Sequence, residues 1–304
     1  MKVLITGATG LVGNAIVNEC HKNNIAVNFL TTRKDKIVTK ENYSGFYWNP
    51  DKKEIDLNCF KGVTAIINLA GASISKRWTS SYKKEILTSR INSLKTLNSG
   101  LLKVDSSAIT SFVSASAIGI YPNSIKKFYS EDDQFKADGF LSEVVTVWEN
   151  EVDNLKGFNF SLAKIRIGLV MSNKGGALPE MVKPIKLFVG SAFGSGKQWQ
   201  SWIHIKDLAK LFVFAIKNEL NGVYNGVASN PVTNEKLVSK VAAILGKPLV
   251  FPKVPASILK LILGEMSALL LDSQRVSNKK ILEEGFKFKY LNVCPALESL
   301  YPKK

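Results

Sequence analysis

The feature that most constrains the fold is a glycine-spaced turn close to the N-terminus. A short apolar run ends at Thr6, and Gly7-Ala8-Thr9-Gly10-Leu11-Val12-Gly13 then leads into a helical pattern. Such a G-x-x-G-x-x-G turn is typical of a nucleotide-binding βα unit, because its glycines allow a sharp turn, a close backbone approach to phosphate and tight helix–strand packing. Free N–H groups at the helix start attract a pyrophosphate. We therefore predict that a dinucleotide binds at Gly7, Thr9, Gly10, Leu11, Val12 and Gly13.

Strand and helix patterns alternate through the first half of the chain. Apolar runs predict strands at residues 3–5, 27–30, 63–69, 111–114 and 161–167, and helical spacing covers residues 11–20 and 79–102. Apolar strands separated by helices are typical of a parallel sheet covered on both faces. We therefore predict an α/β fold, a Rossmann-like doubly wound parallel sheet with a smaller, mainly helical C-terminal part.

The composition of the chain changes after residue 167. Glycines cluster, prolines become frequent, and helical patterns cover residues 208–217, 234–245 and 256–271. We predict a dinucleotide-binding domain at residues 1–167, to which later segments return, and a substrate-binding C-terminal part at residues 168–304. The apolar stretch at residues 258–271 is too short and too charged to span a bilayer, and it predicts a packed amphipathic helix.

Composition and charge argue against several other classes of protein. The 304 residues include 41 Lys and Arg against 25 Asp and Glu, a net charge of +16, yet the basic residues are dispersed in pairs. We interpret this as a basic surface that attracts anionic ligands, and we expect no nucleic-acid or membrane partner. Only two histidines are present, so no metal site is expected. Three scattered cysteines without a C-x-x-C motif indicate free thiols in a cytoplasmic protein.

The end of the second predicted strand bears on the choice between NAD and NADP. An acidic residue there would bind the ribose 2′-hydroxyl and repel a 2′-phosphate. The chain instead has Thr32 and Arg33, and a guanidinium suits a phosphate. We therefore predict NADP(H), with a solvent-facing Arg33 as the alternative. Asp35 lies too far along to end the strand.

Small and polar residues end the next two strands. The strand that ends at Asn68 is followed by small residues, which let a cofactor lie against the backbone. We assign to this site Leu69, Ala70, Gly71 and, on the following helix, Arg90. Ser116 ends the strand after that, at the edge where ligands bind in such sheets, and can hydrogen-bond a substrate carbonyl or hydroxyl. Plain strand-to-loop turns are the alternative at both places.

These pieces together resemble the extended short-chain dehydrogenase/reductase superfamily. Further motifs are similar to its YfcH-like group of atypical epimerase family proteins, which have a C-terminal domain of their own. The motifs are Lys76-Arg77-Trp78-Thr79, residues 114–121, 165–170, 194–198 and 201–207, and the tail from residue 254 to residue 286. The resemblance implies a Rossmann-like fold and NADP(H) binding. It also allows a homodimer through residues 79–102.

The chain departs from the superfamily at its catalytic pair. Active members use Tyr-x-x-x-Lys, in which the tyrosine transfers the proton and the lysine lowers its pKa. None of the eight tyrosines here begins such a motif, and the corresponding positions are Phe140 and Val144. We predict that Ser116 orients the substrate and Tyr121 manages the proton, with His204 as the alternative proton carrier. Candidate substrate contacts are Arg166, Trp202 and His204.

Three functions of different classes follow from these residues. The first is an NADP(H)-dependent oxidoreductase or epimerase-like enzyme with a modified catalytic apparatus, acting on a small-molecule substrate that is anionic or nucleotide-linked. The second is a non-catalytic NADP(H)-binding redox sensor or regulatory protein, which the missing tyrosine and lysine suggest. A nucleic-acid-binding protein is the third, and the lack of a clustered basic stripe or an aromatic platform argues against it.

Overall fold

The computed structural model describes residues 1–135 and 138–302. Fifteen strands lie in this described part of the chain. They are β1 (Lys2–Thr6), β2 (Ala26–Thr31), β3 (Thr39–Lys40), β4 (Tyr43–Asn49), β5 (Glu54–Ile55), β6 (Ala65–Asn68), β7 (Ser111–Ala117), β8 (Phe128–Tyr129), β9 (Ser161–Ile167), β10 (Leu169–Met171), β11 (Trp199–Gln200), β12 (Trp202–His204), β13 (Gly222–Gly226), β14 (Val232–Thr233) and β15 (Arg275–Val276).

Ten α-helices lie in the same described residues. They are α1 (Leu11–Lys22), α2 (Ser80–Leu101), α3 (Gly139–Asp153), α4 (Ala177–Lys186), α5 (Ile205–Lys217), α6 (Asn234–Ile244), α7 (Ala256–Leu263), α8 (Ala268–Leu271), α9 (Lys279–Glu283) and α10 (Val293–Leu300). The helices predicted at residues 11–20, 79–102, 208–217 and 234–245 are confirmed, to within a few residues, by α1, α2, α5 and α6.

One predicted helix is wrong. Instead of a single packed helix over residues 256–271, the chain forms α7, a short 3₁₀ turn and α8. Gly264 ends α7 with a φ of +58°, a left-handed conformation that glycine adopts readily. The expected packing is wrong as well, because Leu259 is the buried residue of α7 while Leu261 and Ile262 are exposed.

The chain forms two compact units. The first comprises Met1–Ala117, Gly139–Arg166 and Leu208–Tyr224. The second comprises Ile118–Asp138, Ile167–Asp207 and Asn225–Lys304. The first unit contains the glycine-spaced turn and most of the large sheet. The domain boundary after residue 167 stays a prediction.

The large sheet has the strand order of a doubly wound fold. Its order is β13-β9-β7-β6-β1-β2-β4-β3, and β5 pairs with β4. β1 pairs in parallel with β2 on one side and with β6 on the other, β2 pairs in parallel with β4, and β6 pairs in parallel with β7. The chain therefore changes direction across the sheet at β1, and ligands bind beyond the carboxyl ends of the strands at such a point. The predicted Rossmann-like α/β fold is confirmed.

The central strands are apolar at consecutive positions because both of their faces are covered. Val3, Leu4 and Ile5 of β1 have no exposed surface, and all four residues of β6 are buried. β4 lies near the edge of the sheet, and the sequence pattern did not predict it. Its sequence is YSGFYWN, in which the apolar residues are aromatic, so no aliphatic run like those of β1 and β6 marks it.

The second unit has an apolar core of its own. Trp202 of β12 is fully buried in it and donates its indole N–H to the carbonyl of Asn230 at 2.9 Å. Around it lie the inner faces of α4, α6 and α10, with Leu178, Val238 and Leu297 almost completely buried. The helical content predicted for the C-terminal part therefore has a physical basis in these amphipathic faces.

Candidate functional site

The glycine-spaced turn connects β1 to α1 and brings the first turn of α1 very close to the backbone of Gly7 and Ala8. Gly7 has a φ of +67°, and its carbonyl accepts a hydrogen bond from the Gly10 N–H at 3.0 Å. A Cβ added at Gly13 would lie 2.2 Å from the Gly7 carbonyl oxygen. No side chain fits at that distance, so α1 reaches the strand this closely only with glycine at position 13.

The start of α1 is open toward a ligand. Gly10 is its N-cap, no side chain in the described chain caps it, and its first turn carries no acidic residue. The first helical hydrogen bond runs from the Asn14 N–H to the Gly10 carbonyl at 2.9 Å, so the preceding amides of Leu11, Val12 and Gly13 come before the helical ladder. Because these amides and the helix dipole favour an anion, the turn fits a pyrophosphate.

A buried chain of polar side chains fixes the carboxyl ends of β1, β6 and β7. The Thr6 hydroxyl donates to Asn68 Oδ1 at 2.8 Å, and Asn68 Nδ2 donates to the Ser114 hydroxyl at 3.1 Å. The amides of Leu69 and Ala70 donate back to Thr6 Oγ1 at 2.9 and 3.0 Å. The backbone after β6 is therefore held against the glycine-spaced turn. Sequence reasoning did not assign Thr6 a role, although a polar residue that ends an apolar strand was the available signal.

Arg90 lies beside the turn that follows β6. It is buried on α2, and its guanidinium carbon lies 4.9 Å from the centroid of the Trp148 ring. Its Nη1 donates to the carbonyl of Ile86 at 2.8 Å, and a Cβ added at Gly71 would come within 3.1 Å of the Arg90 side chain. Burial lowers the pKa of Arg90 to about 10, so the side chain stays charged at neutral pH.

Two buried donors at this place have no partner. Among the residues that the structure describes, neither Arg90 Nε nor Trp148 Nε1 makes a hydrogen bond. An unmatched buried donor is costly, and such groups often mark a site that a ligand or water completes. The unmatched donors next to Gly71 therefore fit a bound cofactor, as does the close approach at Gly13.

Arg33 has an acidic partner at the end of β2. Its Nη2 lies 2.6 Å from Asp35 Oδ2 and its Nε lies 3.2 Å from Asp35 Oδ1, and both side chains are mostly exposed. The hydrogen bond from Arg33 lowers the pKa of Asp35. Sequence reasoning set Asp35 aside, whereas the structure places its carboxylate on the guanidinium that is assigned to a 2′-phosphate. Thr32, beside it, is exposed.

Ser116, Glu149 and Arg166 form a buried cluster at the carboxyl edge of the sheet. The Ser116 hydroxyl donates to Glu149 Oε1 at 2.6 Å. Arg166 donates from Nε to Glu149 Oε1 at 2.8 Å and from Nη2 to Glu149 Oε2 at 2.9 Å. All three residues are less than one tenth exposed. Ser116 and Arg166 come from the ends of β7 and β9, and α3 supplies Glu149 from the face that also carries Val145 and Val152.

This cluster determines what the Ser116 hydroxyl can do. Glu149 accepts from Arg166 through both oxygens, so it behaves as a carboxylate, and a carboxylate has no proton to donate. The hydroxyl hydrogen of Ser116 is therefore donated to Glu149. Toward a ligand, the hydroxyl oxygen can act only as an acceptor. Sequence reasoning found Ser116 and Arg166 but not Glu149. Glu149 could have been found as an acidic residue on an otherwise apolar face of α3.

Tyr121 is a buried residue of the second unit. Only 1% of it is exposed, its ring stacks on Tyr129 at 5.1 Å between centroids, and its hydroxyl donates to Asn225 Oδ1 at 2.8 Å. The hydroxyl hydrogen is thus already used inside the protein. The role of Tyr121 in proton transfer stays a prediction.

His204 is also fully buried in the second unit. Its Nδ1 accepts the Lys206 N–H at 3.1 Å, so the ring proton lies on Nε2, which faces the Ser299 hydroxyl at 3.2 Å. Burial, with smaller effects of Lys206 and Lys289, lowers the pKa of His204 to about 4, so the ring is neutral at pH 7. The contacts of His204 and Trp202 are explained by packing within the second unit. That these two residues contact the substrate stays a prediction.

Within residues 1–135 and 138–302, no helix has the length and hydrophobicity of a membrane-spanning segment. These residues also contain no group of three or more His, Cys, Asp or Glu residues placed to hold a metal ion.

Comparison with known proteins identifies the family. Residues 3–226 match the NAD dependent epimerase/dehydratase family, and residues 254–300 match a domain of unknown function, DUF1731. The chain belongs to the epimerase family. An epimerase family protein of Staphylococcus aureus (strain MRSA252) is 38% identical over 301 residues, with 99% of both chains covered. One from Staphylococcus epidermidis is 37% identical over 305 residues, with 98% of both chains covered.

Solved structures agree with this membership. The human epimerase family protein SDR39U1, crystallised with NADPH, is 27% identical with a TM-score of 0.86 and covers 99% of both chains. A nucleoside-diphosphate sugar epimerase from Corynebacterium glutamicum is 27% identical with a TM-score of 0.78 and covers 99% of this chain and 58% of its own. The UDP-glucose 4-epimerase of Thermotoga maritima, 16% identical with a TM-score of 0.79, shows the fold alone.

The resemblance to extended short-chain dehydrogenases/reductases is therefore confirmed. The family binds a nicotinamide dinucleotide, and in this epimerase family chain the open end of α1 and the unmatched donors at Arg90 and Trp148 fit that group. The C-terminal match to DUF1731 covers the tail that carried the resemblance to the YfcH-like group.

Proposed function

We propose that this protein is an NADP(H)-binding oxidoreductase or epimerase-like enzyme whose substrate presents a hydroxyl group to Ser116. The hydrogen bond from Ser116 to Glu149, at the edge of the sheet where ligands bind, carries the catalytic part of this proposal. The open start of α1 carries the cofactor part.

The cofactor would be held by the first unit. The amides that begin α1 would bind the pyrophosphate, and the turn after β6 with Arg90 would lie along the remainder of the dinucleotide. Thr32 and Arg33 would bind the 2′-phosphate, which favours NADP(H) over NAD(H). The NADPH in the crystals of the human relative supports the same choice. Bound NADP(H) supplies hydride transfer; the chain supplies position and the path of the proton.

Ser116 and Glu149 would replace the missing tyrosine and lysine. A substrate hydroxyl donates to Ser116 Oγ, whose own hydrogen already points at Glu149 Oε1. When the hydroxyl is oxidised, its proton moves to Ser116 Oγ and the Ser116 proton moves to Glu149. Arg166 fixes the carboxylate for this transfer through its two hydrogen bonds. The basic surface of the chain favours an anionic substrate.

Binding and turnover test the two parts separately. Calorimetric titration with NADPH should show binding that Gly13→Ala abolishes or weakens at least about tenfold, because the new methyl group collides with Gly7. Gly157→Ala is the matched control, since a Cβ there meets nothing within 4 Å. Unchanged NADPH binding by Gly13→Ala would overturn the cofactor site.

Turnover should be sought in a panel of sugar nucleotides, hydroxy acids and their carbonyl counterparts, followed by nicotinamide absorbance and by epimer analysis. With a substrate found in this way, the Ser116→Ala variant should lose most of its kcat. The melting temperature of the variant checks that it is folded. Ser116→Ala at full activity would contradict the proposed role of Ser116.

A non-catalytic NADP(H)-binding sensor is the second candidate. It is favoured by one observation, the absence of any Tyr-x-x-x-Lys in the sequence. Tight NADPH binding without turnover across the panel, together with a conformational response that distinguishes NADPH from NADP⁺, would replace the first proposal by this one.

A further inference from the structure

Three segments of the second unit carry exposed apolar side chains. They are residues 187–189, residues 249–251 and the outer face of α7, formed by Ile258, Leu261 and Ile262; together we call them the apolar surface. Leu261 is 85% exposed and Leu187 is 72% exposed. Large apolar side chains exposed singly are common on proteins, whereas a group of this size marks an interaction surface.

Hydrogen bonds hold the three segments side by side. The Ser191 hydroxyl, just after the first segment, donates to the Pro252 carbonyl at 2.6 Å, just after the second. The Val254 N–H donates to the Ala192 carbonyl at 2.9 Å, and α7 begins two residues later. The Lys247 ammonium also lies 4.2 Å from the centroid of the Phe188 ring. The three segments are therefore connected to one another through the residues directly beside them.

The backbone presents two of these segments outward. Ile258, Leu261 and Ile262 lie at i, i+3 and i+4 of α7, so they share one exposed helix face, whereas Leu259 beside that face is buried. Phe188 has a φ of +63°, which is rare for an aromatic residue, and its ring is about half exposed. A strained backbone that exposes an aromatic ring suits a binding role better than a packing role.

The charge around the apolar surface is net positive. Residues 181–197 and 246–263 contain six lysines and not one Asp or Glu. Lys186, Lys197 and Lys260 are exposed. Two of the six are paired with carboxylates from outside these segments, Lys183 with Glu180 and Lys253 with Glu235. The surface therefore combines protruding apolar side chains with a net positive border.

We propose that the apolar surface binds an anionic lipid bilayer reversibly, with α7 and the two loops inserted among the headgroups. A bilayer offers an apolar interior beneath a negative surface, which matches both parts of this surface. A second copy of the chain fits less well, because a symmetric contact would bring the lysines of both copies together. Side chains exposed as far as Leu261 also suit a fluid phase, which needs no complementary shape. This proposal departs from the sequence expectation of no membrane partner, because the sequence pattern did not show which apolar side chains the fold leaves exposed.

Vesicle flotation tests the proposal with the full chain. The protein should float with vesicles of phosphatidylcholine mixed with phosphatidylglycerol, much less with phosphatidylcholine alone, and less again in high salt. The double variant Leu261→Ser/Ile262→Ser should bind at least about tenfold more weakly, because two inserted apolar side chains are lost. Lys186→Gln/Lys260→Gln should weaken binding to phosphatidylglycerol vesicles and reduce its salt dependence.

Matched controls come from the first unit. Leu102→Ser removes a leucine that is 74% exposed at the end of α2, and Lys103→Gln removes an exposed lysine beside it; both should bind like the unchanged protein. Equal binding by the Leu261→Ser/Ile262→Ser variant, or no binding to phosphatidylglycerol vesicles at low salt, would overturn the proposal. Light scattering measures the oligomeric state and so tests whether a second copy of the chain binds to this surface. A dimer that the same double variant converts to monomers would assign the surface to a second copy and would also overturn it.

Discussion

Two anionic groups compete for the guanidinium of Arg33. They are the carboxylate of Asp35 and, in the proposed complex, a 2′-phosphate. Both side chains are exposed, so the ion pair with Asp35 is held weakly and salt screens it. The doubly charged phosphate competes well for the same planar donor group. The proposed preference for NADP(H) therefore depends on the balance between these two acceptors.

Two substitutions at this strand end should have opposite effects. Arg33→Ala should weaken NADP⁺ binding at least about tenfold, because a charge-assisted pair is lost, and should leave NAD⁺ binding nearly unchanged. Asp35→Asn should strengthen NADP⁺ binding several-fold, roughly, since the guanidinium is released. Calorimetry with both dinucleotides measures each effect. Equal changes for NADP⁺ and NAD⁺ would show that Arg33 does not contact the 2′-phosphate.

The Glu149–Arg166 pair should matter for stability as well as for the orientation of Ser116. Arg166→Met leaves a buried carboxylate without its partner and should lower the free energy of unfolding by about 3–5 kcal/mol. The double variant Glu149→Met/Arg166→Met should lose much less, because no buried charge remains. Urea unfolding measures both. Lys156→Met, which removes an exposed partner of Asp153, is the control and should cost less than about 1 kcal/mol.

At the residue scale, the sequence showed residues whose local spacing defines a turn. It did not show residues whose hydrogen-bond partners lie far away along the chain. Gly7, Gly10 and Gly13 were found because their spacing reports the turn geometry. Glu149 was missed because its partners lie 33 and 17 residues away, at separations that no spacing rule covers. Asp35 was visible but was excluded on distance along the chain, whereas side-chain reach decided its contact.

At the scale of the elements, α7 shows what periodicity can and cannot predict. The apolar pattern of residues 256–271 predicted a helix, and most of these residues are helical. The pattern could not show that Gly264 would divide the stretch, or that a helix with so many apolar residues would face solvent. Apolar periodicity predicts that a face will be buried, but not whether the same chain supplies the covering surface.

Two leucines of α7, Leu259 and Leu261, should therefore differ sharply in their effect on stability. Leu259→Ala should lower the free energy of unfolding by about 2–3 kcal/mol, because a buried side chain is removed from its contacts. Leu261→Ala should change it by less than about 0.5 kcal/mol, since that side chain is almost fully exposed. Chemical unfolding of the two variants gives the comparison. A large loss from Leu261→Ala would mean that its side chain is covered in the folded protein.

At the scale of the whole molecule, the buried His204 should make stability depend on pH. Its pKa is lowered to about 4 in the folded protein against an ordinary value near 6.5, so the unfolded chain binds more protons between these values. Stability is then fully present above about pH 6.5 and is lost as the pH falls toward 4, by up to about 3 kcal/mol from this group.

Melting temperatures between pH 7 and pH 4.5 test this expectation, with the window set by the two pKa values. His204→Gln should lose less of its stability on acidification than the unchanged protein does. His21→Gln, at the exposed histidine of α1, is the control and should follow the unchanged protein. Parallel curves for His204→Gln and the unchanged protein would show that His204 is not kept neutral by the fold.

The overall fold was the part that the sequence predicted best. Consecutive apolar residues in β1 and β6 and the helical stretches between strands were sufficient to predict a doubly wound parallel sheet. Strand β4, which lies between β2 and the edge strand β3, was not predicted, because Ser44 and Gly45 interrupt its aromatic residues and it has no aliphatic run. The sequence analysis expected later segments to return to the first domain without saying which ones, and Leu208–Tyr224 is grouped with the first unit although it follows Ile167–Asp207 of the second.

The serine whose hydrogen is held by Glu149 has a consequence for inhibitors. In the proposed complex, a compound that keeps the shape of the substrate but carries a methoxy group or fluorine in place of the reacting hydroxyl has no hydrogen to donate to Ser116, and its lone pairs would face those of Ser116. An amine at the same position would still donate and would be tolerated. Chemists searching for a tight binder would do better with amino analogues than with ethers or fluorides.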